Sequence, residues 1–99
     1  MHMTFNWNDQ KNEFLKTKRN ISFEEIILCI SENKVIKILD HPNTRDYPNQ
    51  KLYLIEYKDY IYVVPFVIDK LKNEFFLKTI FRNRKYTKKY LRKKGEINE

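Results

Sequence analysis

Three cations recur at even spacing late in the chain: Lys78, Arg82 and, one step on, Arg84. They belong to or follow a β-prone run, FFLKTIF (75–81). Side chains alternate between faces along a strand. The alternation predicts Phe75, Leu77, Thr79 and Phe81 on the buried face. Phe76, Lys78, Ile80 and Arg82 then point the other way, with Arg84 after them if the strand runs on. A guanidinium fits a phosphate bidentately, and an ammonium meets it as a point charge. Such a row suits a phosphodiester; the competing reading is a sheet face kept soluble. Lys85 and Tyr86 follow directly. His41 lies in a loop and can exchange a proton near neutral pH, or simply hold a turn.

Other chemistries lack their parts. The single glycine, Gly95, excludes a glycine-rich phosphate loop. No histidine pair, Cys/His cluster or grouped acidic triad provides a metal site, so neither metal nor cofactor is expected. The inventory left is Lys, Arg, Tyr and His41. One metal-free reaction suits it: RNA cleavage in which the substrate's 2′-hydroxyl attacks the adjacent phosphate. The protein then orients the bond, moves two protons and neutralises charge on the phosphorane-like transition state.

Charge distribution agrees with a polyanionic partner. The chain has 99 residues and a net charge of +7. Residues 1–74 carry eleven charges of each sign, whereas 75–95 carry nine cations and no acid. Nucleic acid, an anionic membrane surface or an acidic protein fits that excess; a solvated basic tail is the plain alternative. Seven tyrosines could stack on bases or pack in the sheet. The longest apolar run, 60–68, is too short for a membrane helix. With no leader pattern and one cysteine, Cys29, the expectation is a soluble, cytoplasmic protein. Residues 1–99 read as one domain, with 1–3 partly an expression remnant and 95–99 a flexible tail.

The elements that must position these residues are read from caps and periodicity. Phe5-Asn6-Trp7 opens as a short strand. Asn8 caps a helix running to about Arg19, with Lys11 and Lys18 on its margin, and Asn20 ends it. Ser22 and Glu25 form a capping box, stapled by Ile21 and Ile26, for a second helix with Cys29 in its core. Val35 to Leu39 is β-prone. Residues 41–50, with two prolines, form a loop. Runs 51–57, 60–68 and 75–81 predict an antiparallel meander, with a bulge or an edge at Pro65. A short helix from Tyr86 or Thr87 to Lys94 closes the chain and adds Lys88 and Lys89. The class is α+β: two N-terminal helices on a mainly antiparallel four-stranded sheet, with a short C-terminal helix.

Several segments resemble BrnT-type toxins when taken together. Phe5-Asn6-Trp7-Asn8-Asp9, Lys11-Asn12, Lys18 and Ile21-Ser22-Phe23-Glu24-Glu25 are similar to that family's opening. FLKTI (76–80) with Arg84-Lys85-x-Thr87 is similar to its final strand and junction, and HPN (41–43), YPNQ (47–50) and VPF (64–66) to a subgroup. Arg19 and Asn20 replace the usual histidine and glycine. The resemblance implies a RelE-like fold and the toxin of a type II toxin–antitoxin pair, a metal-independent endoribonuclease that inhibits translation. It implies a cognate BrnA-like antitoxin, a small DNA-binding protein, with operator DNA reached only through their complex. Arg84 and Lys85 match the family's Arg-Lys pair, with Arg82, Lys78, His41 and Tyr86 as further catalytic candidates. Trp7, Lys11, Lys18, Arg19, Lys88 and Lys89 are candidate RNA contacts. The alternative is a non-catalytic basic nucleic-acid-binding or interaction module.

Overall fold

Local helix signals carry directly into the computed structural model, which describes residues 4–91. Asn8 caps α1 (Asp9–Arg19), its side chain accepting from the Lys11 backbone N–H at 2.8 Å. Asp9 lies at the positive end of that helix and Lys16, Lys18 and Arg19 at the negative end, each matching the macrodipole. Asn20 ends it in the left-handed conformation, at φ 56°. The capping box of α2 (Phe23–Ser31) is complete: Ser22 Oγ accepts from the Glu25 N–H, and Glu25 Oε1 from the Ser22 N–H. Ile21 and Ile26 are both fully buried in the same core.

One buried amide ties the two helices together. Asn12, 3% exposed, accepts from the Phe23 N–H and donates to Glu24 Oε1, both at 2.8 Å. The bond from Asn12 is the main reason the Glu24 carboxyl titrates below its usual range. Asn12→Leu is expected to lower stability by about 1–3 kcal/mol, because it strands the buried Phe23 N–H. Urea unfolding measures this, and a loss under about 0.5 kcal/mol would mean that the site rehydrates.

The expected three-strand meander forms as β3 (Gln50–Tyr57), β4 (Tyr60–Asp69) and β5 (Glu74–Leu77), and the β-prone run before the loop adds β2 (Val35–Asp40) antiparallel to β3. The expected opening strand joins this sheet and the expected last strand splits in two, so the sheet is six-stranded rather than four-stranded. β1 (Thr4–Asn6) runs parallel to β5 at one edge, and β6 (Phe81–Arg82) pairs with the start of β4. The order along the sheet is β1-β5-β4-β3-β2. Run 75–81 is therefore not one strand. It breaks after Leu77, where the Lys78 N–H donates to the Pro65 carbonyl at 2.8 Å. The N–H and C=O of one strand residue point to the same side. The donor that Pro65 lacks thus faces the gap between β5 and β6, beside a strand that is otherwise central. Ile80 turns into the main core at 0% exposure.

The sheet carries a core on each face. Leu15, Phe23 and Ile26 pack with Ile55, Val64 and Phe66 on one side, where Cys29 also lies. Burial pushes the Cys29 thiol above its usual range, which leaves it a poor nucleophile. Four rings on successive strands cross this face: Phe5, Phe75, Phe66 and Tyr53, with centroids 5.7, 5.2 and 4.2 Å apart in turn. Leu54, Ile61 and Val63 form the second core with Tyr86, Tyr90 and Leu91. Alternate residues of β4 serve the two cores, so α3 (Arg84–Tyr90) covers the face opposite α1 and α2. This helix starts earlier than predicted. Its predicted continuation to Lys94, the expected tail 95–99 and residues 1–3 lie outside the described residues.

Candidate nucleic-acid interface

The predicted row of Lys78, Arg82 and Arg84 on one strand does not form. The break at residues 78–80 buries Ile80, which had been expected on the open face. Lys78 is exposed between β5 and β6. In β6, Phe81 pairs with Val63 and Arg82 with Tyr62. Val63 belongs to the α3 core and Tyr62 packs on the main core, so Arg82 points to the α1–α2 side and Phe81 to the α3 side. Arg84 opens α3, followed by Lys85.

Arg82 instead completes an aromatic row. Its Cζ lies 5.0 Å above the Tyr60 ring. Tyr60 meets Tyr62 edge-on at 6.2 Å, and Tyr62 meets Tyr57 at 5.7 Å. At the far end, Lys58 Nζ sits 5.2 Å over the Tyr57 ring. The local chain explains the row. Lys58 and Asp59, at φ 51° and 64°, form a two-residue turn that pairs Tyr57 with Tyr60. Tyr62 follows two residues on, and all three phenols share a face. Three tyrosines with a cation at each end therefore mark the hairpin tip.

Glu25 anchors that row to α2. Its carboxylate accepts from the Tyr57 hydroxyl at 2.5 Å and from the Ser22 N–H and hydroxyl at 2.8 and 3.1 Å. Burial acts to raise the Glu25 carboxyl, but these bonds outweigh it and hold the group below its usual range. The same bond, with burial second, pushes Tyr57 up to about 12. Tyr57 thus stays a donor at neutral pH. Burial also raises Tyr62, against the opposing charge of Arg82.

Both shifts contribute to the pH dependence of stability. The lowered Glu25 contributes fully above the usual carboxylate range, and that contribution is lost as pH falls through its folded value. The raised Tyr57 contributes fully below about 10 and loses its contribution as pH rises towards about 12. Tyr57→Phe should therefore flatten both the acid and the alkaline limbs of a melting-temperature profile. Unchanged limbs would show that the bond does not persist in solution.

The remaining cations are carried by α1 and α3, on opposite faces of the sheet. Arg19 Nη1 donates to the Ile80 carbonyl at 2.6 Å, fixing the end of α1 beside the strand. On the opposite side, Asn83 caps α3 by accepting from the Tyr86 N–H at 2.8 Å. Thr87 Oγ1 accepts from the Ile61 N–H at 2.9 Å and locks the helix to β4. Lys88 and Lys89 are exposed in the last turn, and Lys89 Nζ lies 5.4 Å over Tyr90. Tyr86 packs on the second core.

Other predicted residues lie elsewhere. His41 Nδ1 accepts from the Asn43 N–H at 2.9 Å, and its ring rests 4.4 Å from Tyr47. Its backbone bonds to Gln50, which pairs with Val67, while Arg82 pairs with Tyr62. The two sites are separated by roughly 17 Å along β4, at about 3.3 Å per residue. Trp7 is half-buried and stacks on Phe23 at 5.5 Å. Lys11 Nζ sits 5.0 Å over Phe14, and Lys18 is exposed on α1.

Among the described residues, no group of three or more His, Cys, Asp or Glu side chains could hold a metal ion. No described helix is long and apolar enough to cross a membrane. Comparison with protein-family models, curated proteins and solved structures returns no match.

Proposed function

We propose that this α+β chain is a RelE-like, metal-independent endoribonuclease, the toxin of a type II toxin–antitoxin pair related to the BrnT group. The observation that carries the reading is the run of Arg82, Arg84 and Lys85 at and just after β6, with Arg19 tied to Ile80 beside it and the Arg82 guanidinium over Tyr60. Guanidinium groups there stabilise the charge that develops on a phosphorane-like transition state. The substrate's 2′-oxygen bonds to phosphorus and the P–O5′ bond breaks. The products are a 2′,3′-cyclic phosphate and a 5′-hydroxyl. One proton leaves the 2′-hydroxyl and one reaches O5′. His41 stands at the other end of the sheet, so those transfers fall to water or to the phenols of Tyr60 and Tyr86. A small DNA-binding antitoxin covers the same cations in the cytoplasm and carries the pair to operator DNA.

The test uses the purified full chain with single-stranded RNA in excess EDTA. Cleavage to cyclic-phosphate ends, with a 2′-deoxy strand left uncut, is the expected result. Intact RNA despite salt-sensitive binding would overturn the enzymatic reading and favour a non-catalytic binding module. Expression of the active chain should arrest bacterial growth, and a neighbouring-gene product should relieve it.

A further inference from the structure

The hairpin-tip row goes beyond what a sheet needs for cohesion. Arg82 is exposed and holds no carboxylate among the described residues, where the ion pairs are Lys16–Glu13, Arg45–Asp46 and Lys51–Asp40. Its positive charge is therefore uncompensated, yet its guanidinium is placed over the Tyr60 ring. A guanidinium plane that stacks on an aromatic ring can receive a second flat group and still donate to a phosphate. Tyr60 is itself half-buried and flanked by Tyr62, which limits how far the ring can swing away. Lys58 lies at one end of the row, and Arg19 is tied to Ile80 just before Arg82. Flat surface and positive charge thus coincide at one place.

We infer that Arg82 and Tyr60 form a stacking platform for one unpaired base of single-stranded RNA, with Arg19 near Arg82 and Lys58 at the other end of the tyrosine row for the flanking phosphates. The inference rests on RNA being the ligand, as proposed above, and narrows it to an unpaired strand. A base inside a duplex is already stacked and paired and offers this platform no free face. Tyr60 becomes a specificity-determining residue that stacking alone recruits, whatever the sequence of the strand.

Three probes of equal length test this with the full chain: a fluorescein-labelled 2′-O-methyl RNA strand, the same strand with a central abasic run, and the strand annealed to its complement. The 2′-O-methyl groups block cleavage, so binding is read alone. The wild type is expected to bind the base-bearing strand about 5- to 100-fold tighter than the abasic one. Tyr60→Leu should lose that preference while keeping its affinity for the abasic strand and its salt dependence. Tyr60→Phe, which keeps the ring, should retain the preference. Equal wild-type binding of abasic or duplex probes would overturn the platform. So would a folded Tyr60→Leu that still discriminates, or a Tyr60→Phe that does not. Base-dependent binding without cleavage of an all-RNA strand would sustain the platform and overturn the ribonuclease. No binding of any probe by the wild type would overturn both.

Discussion

Alanine in place of Phe66 is expected to lower the unfolding free energy by about 3–5 kcal/mol. The side chain is 2% exposed and sits in the middle of the ring series that spans β1, β5, β4 and β3. Its loss removes buried apolar surface, leaves a cavity and parts Tyr53 from Phe75. Ring pairs of this kind add about 0.5–1.5 kcal/mol beyond the area they bury. A small domain holds about 5–15 kcal/mol in total, so much of the margin disappears. Leucine refills most of the volume and should cost less. Urea unfolding measures both variants, with an unchanged slope indicating an unchanged folded state. A loss under about 1.5 kcal/mol for alanine would mean that the neighbouring rings close the gap.

The second large effect concerns function. In the proposed ribonuclease, Arg84→Ala should slow cleavage about 10²–10³-fold. The same change should leave the fold as stable or make it slightly firmer. Arg84 is exposed, has no side-chain partner among the described residues and opens a helix, where a cation opposes the dipole. Relief of that opposition is worth up to about 1 kcal/mol. Activity and stability are thus expected to move in opposite directions, which a structural defect would not produce. Single-turnover cleavage and a melting curve on one preparation give both readings. Arg84→Lys keeps the charge and loses the fork, so it should recover part of the rate. Undiminished cleavage by Arg84→Ala would remove Arg84 from the site.

What could be read from the chain was chiefly local. Asn8, Asn20 and the Ser22–Glu25 box act on atoms within one helical turn, so the helix ends follow from adjacent residues. The meander follows equally from short links between apolar runs. Position along the sheet is a different matter. The break at 78–80 is tied to Pro65, on the neighbouring strand, and that break reverses the face expected for Ile80. The loop character of 41–50 was evident, but only the register of β3 on β4 shows how far His41 stands from Arg82. The aromatic row was within reach. A two-residue turn at 58–59 already implies that Tyr57 faces Tyr60, and the alternation adds Tyr62. Its link to Glu25 was not, because nothing in a capping box announces a second use for the carboxylate.

The parallel pairing of β1 with β5 also orders the events of folding. Thr4 pairs with Glu74 and Arg19 with Ile80, so each contact closes a loop that holds most of the meander. Contacts so distant in sequence carry a large loop-closure cost and form late. The α1–α2 hairpin, held by Asn12, can assemble first from neighbouring residues. The cationic edge cannot. A nascent or partly unfolded chain is therefore expected to carry the charge of this protein without the folded arrangement of Arg19 and β6.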